Sequence, residues 1–413
     1  MNKRLAIIFI LLTVVIDSMG IGLIMPVMPE LIQELLGEVS LAEAAIWGGI
    51  LSASFAVMQF LCGPAVGNLS DRFGRKPVLL ASLVIVGVDY LVMGWTGSIW
   101  VLLIARIIAG IASATQSTAN AYIADISDPK EKAQNFGLIG AAFGVGFILG
   151  PLLGGLLSEF GSRAPFFAAA ALAGANFLFG AVILSETVTD RIRRALEWRR
   201  INPFGALQEV RKLPMGLPLL TVFLLHSLAF YAYPAVWAYF TIEQFGWSPF
   251  EVGISLGVFG MGLVAVQGFL IRKIIPAIGE WKALIYGLIV GVIADVLVGI
   301  SWEGWMIYAL IPLTSISFLT TPSLQGIMSK ATPDDAQGEL QGVLTSAGAI
   351  ATIIAPLGFT ALFWWFSASG ARLYFPGAPY IAAGVLDLIA LILVLALYKQ
   401  LRKTRAEDLN SVS

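Results

Sequence analysis

Gly67-Asn68-Leu69-Ser70-Asp71-Arg72-Phe73-Gly74-Arg75-Lys76 is a short polar and basic island between two long apolar runs, residues 45–66 and 77–96. A helix needs about 20 apolar residues to cross the hydrocarbon core of a bilayer, and each flanking run meets that length. An island this short between two such runs predicts a helical hairpin. Gly67 and Gly74 are expected to permit the tight turn. Asp71 is placed to cap or pair with another helix end, and Arg72, Arg75 and Lys76 to hold the loop at an anionic leaflet.

Outward from this hairpin the same pattern repeats along the chain. Apolar runs lie near residues 5–27, 45–66, 77–96, 99–121, 136–158, 164–185, 215–241, 250–271, 281–300, 304–327, 339–366 and 377–398, which predicts twelve spans. Composition agrees: the 413 residues are 58% hydrophobic and 12% charged, with a mean hydropathy of +0.86. A soluble chain carries roughly 25% charged residues, so a soluble enzyme, a secreted disulfide scaffold and a disordered chain are all excluded. A net charge of −1 supplies no field for nucleic acid. Cys62 and His226 are the single cysteine and histidine, too few for a disulfide framework, a zinc site or a Ser-His-Asp triad. The first run contains Asp17, lacks a small-residue cleavage site and leads into further spans, so it reads as a span rather than a signal peptide. The ten-residue alternating segments of an outer-membrane barrel are absent.

The basic residues orient the spans. With the N-terminus in the cytoplasm, 22 of the 25 Lys and Arg residues fall in cytoplasmic segments, leaving Arg163 and Arg372 on the far side and Arg106 inside a span. Short loops follow the positive-inside rule, so both termini are expected in the cytoplasm. The expected organisation is an N-terminal six-helix bundle at 1–185, a cytoplasmic linker at 186–213, a C-terminal six-helix bundle at 214–398 and a cytoplasmic tail at 399–413. The linker carries Arg191, Arg193, Arg194, Arg199 and Arg200, and Asn202-Pro203-Phe204 reads either as plain linker or as the start of a short surface helix. The two bundles look duplicated. Pro129 pairs with Pro333 at an offset of 204, Gly137 with Gly342 and Pro151 with Pro356 at 205, and Asp89 with Asp295 at 206. Duplicated transporters place the substrate between their halves, near the bilayer midplane.

The island also carries a resemblance. It is similar to the G-x-L-x-D-R-x-G-R-[RK] signature of the major facilitator superfamily, and Arg106-Ile-Ile-Ala-Gly110 resembles that superfamily's R-x-x-x-G element. The fifth run holds Gly146, Gly150, Pro151, Gly154 and Gly155, whose Gly-Pro-x-x-Gly-Gly ending resembles the motif of the superfamily's exporters. Gly146, Gly150 and Gly154 recur every fourth residue, leaving one helix face as bare backbone for a neighbour to approach. Asp17-Ser18-Met19-Gly20-Ile21-Gly22-Leu23-Ile24-Met25-Pro26 looks like the opening of the tetracycline/proton antiporters, as do Tyr122-Ile123-Ala124-Asp125-Ile126 and Gly253-Ile254-Ser255-Leu256. The resemblance implies a twelve-helix fold and proton-driven efflux of a drug-like molecule, a magnesium chelate included, from a monomer in the bacterial inner membrane. Two positions depart from the pattern: Leu263 stands where those antiporters carry a histidine, and Gly291 where they carry an aspartate, with Asp295 one turn on.

Asp17, Asp89, Arg106, His226, Asp295 and Asp387 fall inside spans. An intramembrane charge costs roughly 2.5–3.5 kcal/mol on insertion scales, so such residues pair, face the bundle interior or change protonation. Burial shifts a carboxylic acid toward the range where it takes up and releases protons near neutrality. Asp17, Asp89, Arg106, Asp295 and His226 are therefore the candidate proton-coupling set. The alternatives are a permanent lock of Asp17 and Asp89 on Arg106, and a purely packing role for His226. Asp387 is expected to make a helix–helix hydrogen bond. Gln59, Gln116, Asn120, Gln267 and Gln325 offer hydrogen bonds to a substrate. No G-x-x-x-x-G-K-[ST] loop is present, so the energy source is an ion gradient, with protons favoured and no organic cofactor expected. The competing readings are a transporter of another amphipathic solute and a transport-dead membrane sensor.

Overall fold

The computed structural model describes residues 3–37, 39–113, 115–127, 131–188, 216–333 and 336–412. Among the described residues every regular element is helical. Hydrocarbon leaves backbone polar groups no water to bond, and a helix satisfies them within one segment. Among the described residues eleven continuous helical segments are long and apolar enough to cross a membrane, and the shorter Ile99–Ala112 is apolar as well.

The chain divides into two compact units. One comprises Met1–Pro203, Trp237–Gly260 and Ala368–Gly370, the other Phe204–Val236, Met261–Ser367 and Ala371–Ser413. The basic cluster at 191–200 and the segment Asn202-Pro203-Phe204 lie outside the described residues.

In the first half of the chain the helices are α1 Lys3–Ile24, α2 Met28–Leu36, α3 Leu41–Phe73, α4 Arg75–Trp95, α5 Ile99–Ala112, α6 Thr115–Ile126, α7 Lys132–Ser158 and α8 Ala164–Ile183. Phe9, Ile10, Val14, Leu79, Tyr122 and Ile139 form a core of buried residues among them. Val101, Ile104, Ile108 and Ile111 run along one face of α5 and are exposed, an apolar surface suited to lipid. α3 starts on a capping box: the Ser40 hydroxyl accepts from the Glu43 amide while Glu43 accepts from the Ser40 amide.

Three features depart from the sequence reading. The run at 99–121 is two helices, not one. α5 ends at Ser113, whose φ of −74° and ψ of 71° are not helical, and whose amide bonds back to the Gly110 carbonyl. The Ser and Thr residues that follow compete for backbone groups and weaken the helix there. The short α2 was not anticipated; Pro29 starts it and Gly37, at φ 82°, closes it. Gly67 lies inside α3 with open space around it, so the turn rests on Gly74 alone.

Beyond residue 216 follow α9 Gly216–Phe245, α10 Pro249–Ala265, a π turn Val266–Leu270, α11 Ile271–Ile278, α12 Glu280–Gly299, α13 Gly304–Ile316, a 3-10 turn Ser317–Leu319, α14 Thr320–Ala331, α15 Gln337–Ser367 and α16 Ala378–Val412. Val222, Leu284, Leu288, Leu324, Leu340, Leu344 and Val394 make the second core. One joint occurs in both halves of the chain. Gly74, at φ 114° and ψ 153°, is the single residue joining α3 to α4, and Gly279, at φ 81° and ψ 157°, is the single residue joining α11 to α12. Their numbers differ by 205. Both positions sit in a region that only glycine enters without strain.

Candidate functional site

α1, which carries Asp17, lies along the bare face of α7. A methyl group at Gly150 would lie 2.5 Å from the Met19 carbonyl oxygen and 2.9 Å from the Gly22 Cα, and those at Gly146 and Gly154 would strike the Val15 and Leu23 carbonyls. The four-residue glycine spacing therefore brings two backbones together. Gly155 faces another neighbour: a methyl group there would lie 3.0 Å from the Phe250 Cα, while buried Pro151 presents its carbonyl to Gly253 of α10. Across α1, Gly20 abuts the ring of Tyr90, which lies within electrostatic reach of Asp17. Asp17 is half-buried, and among the described residues it makes no hydrogen bond or ion pair.

Arg106 goes to Asp89. Its Nε donates to Asp89 Oδ1 at 3.2 Å, a second guanidinium nitrogen pairs with the other carboxylate oxygen, and its Cζ lies 5.3 Å from the Phe55 ring centroid. Asp89 is 3% exposed. One turn on, Gly110 sets α5 close against α3: a methyl group there would fall 2.5 Å from the Phe55 carbonyl oxygen and 2.9 Å from the Met58 Cβ. The lock of both acids on Arg106 is thus formed by Asp89 alone.

At the α3–α4 junction Arg75 pairs with Asp71, donates from Nε to Asp125 Oδ2 at 3.2 Å, and donates from Nη1 to Ser70 Oγ at 2.7 Å. Glu186, which nothing in the sequence pattern singled out, caps α4. Its carboxylate accepts from the backbone amides of Arg75 at 2.8 Å and Lys76 at 3.2 Å, two of the orphan donors of a helix start. Lys76 Nζ donates to the Ala181 and Leu184 carbonyls at 2.9 and 2.7 Å, at the end of α8. A side chain at Gly74 would collide with the Glu186 carboxylate, so this glycine is required by space as well as by φ. Arg72 is exposed, over the Phe73 ring.

In the second unit, α9, α12 and α16 gather the remaining charges. His226 Nδ1 lies 3.0 Å from Asp387 Oδ1, and Tyr233 Oη donates to Asp295 Oδ1 at 2.9 Å. His226 is satisfied, as the packing reading required, but its partner is an acid. The Tyr233 and Tyr380 ring centroids are 5.2 Å apart. Gly291 presents bare backbone to Asp387, whose Oδ2 lies 2.9 Å from where a Cβ would stand. Leu263 is half-buried near the end of α10.

The candidate substrate residues are distributed over α3, α6, the π turn and α14. Gln59 Nε2 donates to Ser113 Oγ at 2.9 Å, where α5 breaks, and Asn120 is half-buried on α6. Gln267 is exposed in the π turn, and Gln325 is half-buried on α14. The Gln116 side chain lies outside the described residues.

Comparison with known proteins follows the same lines. Residues 10–356 match the Major Facilitator Superfamily. The chain is 40% identical to the tetracycline resistance protein of class C from Escherichia coli, over 88% of this chain and 91% of that one. It is 35% identical to the class H tetracycline resistance protein of Pasteurella multocida, over 98% of each. The crystal structure of the human organic anion transporter MFSD10 superposes with a TM-score of 0.69 at 26% identity, covering 95% of this chain and all of that one.

Proposed function

Because the chain belongs to the Major Facilitator Superfamily, we propose that this multi-pass membrane protein exports a drug-like amphipathic molecule of the tetracycline type in exchange for protons. The observation that carries the reading is Asp17. It is a half-buried acid on α1, without an ion-pair partner among the described residues, set beside the closely packed glycine seam of α7. An exchanger works only if proton and substrate each displace the other, and an uncompensated acid can serve both. Asp89 and Arg106 supply a fixed pair with no net charge. In this reading two six-helix bundles face the cytoplasm at both termini, in a bacterial inner membrane, and Asp71 with Arg75 and Asp125 latches one state of the cycle. The tetracycline resistance proteins among the relatives support the substrate class, and a magnesium chelate is the form with a positive charge to trade for a proton. Leu263 and Gly291 replace residues the antiporter pattern expects, which favours as second reading a different amphipathic solute.

Inverted vesicles with an imposed pH gradient test this. Tetracycline, with and without magnesium, is expected to accumulate in the wild type but not in Asp17→Asn. Accumulation of another panel compound, with tetracycline inert, would install the second reading. No gradient-driven accumulation of any compound would sink the exporter.

A further inference from the structure

We propose that His226, Asp387 and Asp295 form a proton-binding cluster in the second unit, and that this cluster gives up a proton when a positively charged substrate binds. This rests on the exchange reading above and assigns one of its proton sites. The geometry has two storeys. On one, His226 of α9 and Asp387 of α16 meet at 3.0 Å, and the missing side chain of Gly291 on α12 leaves room for the carboxylate. About two helical turns away on α9 and α16, and one on α12, Tyr233 of α9 donates to Asp295 of α12 at 2.9 Å, against the ring of Tyr380 of α16. His226, Asp295 and Asp387 are 6%, 5% and 3% exposed.

The titratable groups facing Asp387 are His226 and Tyr233 from α9 and Asp295 from α12, while Tyr380 of α16 faces Asp295. The ionisable residue of α15, which also packs on α16, is the exposed Glu339 in its first turn. Among the described residues, no Lys or Arg pairs with either carboxylate. Two carboxylates and one imidazole without a permanent cation cannot stay fully deprotonated in an apolar core. A proton on the His226 ring makes the pair with Asp387 neutral, and a second on Asp295 removes the remaining charge. When the ring proton leaves to solvent, neutral imidazole and carboxylate remain, with one net negative charge. A substrate cation restores neutrality, so one proton leaves for each positive charge that enters. A hydrogen-bonded clamp between α9 and α16 would not need an acid, because an amide serves as well.

His226 is the only histidine in the chain, so full-length protein labelled with nitrogen-15 histidine in nanodiscs reports one imidazole. Across a pH series without substrate, the wild-type ring is expected to pass between its doubly protonated and neutral signatures. In Asp387→Asn it should do so at a different pH. A ring that never changes, or changes identically in both proteins, overturns the proposal. In proteoliposomes, Asp387→Asn is expected to lose at least tenfold in pH-gradient-driven tetracycline accumulation while keeping downhill counterflow. Wild-type accumulation in a folded Asp387→Asn protein leaves only a clamp and overturns the assignment. If Asp387→Asn does not fold, His226→Gln is read in the same transport assay with the same two outcomes. A wild type that moves no tetracycline removes the substrate reading, and the nitrogen-15 experiment then decides the cluster independently.

Discussion

In the first unit Arg106 carries a permanent cation into the core and delivers it to Asp89, whereas in the second the carboxylates of Asp387 and Asp295 meet, among the described residues, an imidazole and a phenol. A guanidinium does not deprotonate in proteins, so the first pairing has one charge state. An imidazole exists in a neutral and a charged form, so a pair built on it has two charge states open to it. Burial alone therefore does not identify a coupling acid. Asp89 and Asp387 are equally buried at 3% exposure, and their partners separate a fixed scaffold from a site able to change charge.

The largest effect that could break this contrast belongs to Arg106→Ala. It strands Asp89 in the core, and removing one partner of a buried pair costs about 3–5 kcal/mol. Thermal unfolding of the purified protein should show Arg106→Ala far below Asp387→Asn, which keeps its hydrogen bond. Equal losses would erase the distinction between the units.

Next in size is Gly150→Val, which drives a branched side chain into the Met19 carbonyl across the α1–α7 seam. Overpacking of this kind costs about 1–3 kcal/mol. Gly144→Ala, in open space on the same helix, is the control and should gain the ordinary glycine-to-alanine increment of about 0.8–1 kcal/mol. A neutral Gly150→Val would mean that the seam gives way and does not fix the position of Asp17.

Glu186→Ala removes the cap of α4, at a cost of about 0.5–2 kcal/mol. Hydrogen exchange should quicken at the Arg75 and Lys76 amides while the middle of α4 stays protected. Unchanged exchange at those two amides would contradict the capping assignment.

The smallest change in stability is expected for Gly291→Ala. Replacing glycine in a helix interior gains about 0.8–1 kcal/mol, and displacing the Asp387 carboxylate opposes that gain. The unfolding temperature should barely move, whereas pH-gradient-driven transport should fall severalfold. Full transport would show that Asp387 does not need its place against Gly291.

The spans were legible because hydrocarbon imposes length and composition on every helix, and the 67–76 island was legible because its charges interrupt that rule. Arg106 and Asp89 were visible as costly charges, yet their pairing depends on how α5 packs against α4, which no spacing encodes. His226 and Asp387 are 161 residues apart and signal nothing to each other along the chain. Glu186 reads as an ordinary polar residue after a span; its role appears only when the end of α8 folds back to the start of α4. The break at Ser113 was hidden because hydropathy counts apolar residues and is nearly blind to one turn of Ser and Thr.

The one-residue joints at Gly74 and Gly279 bear on how the protein is built as well as how it stands. With no slack between α3 and α4, the pair must enter the bilayer together as a folded-over unit. Neither helix has a topology of its own to choose. Lengthening the joint by even one residue would turn α4 by about 100° against α3 and pull the Arg75 and Lys76 amides off Glu186. Length changes should therefore be tolerated in the polar segment at the midpoint of the chain and refused at these two bends.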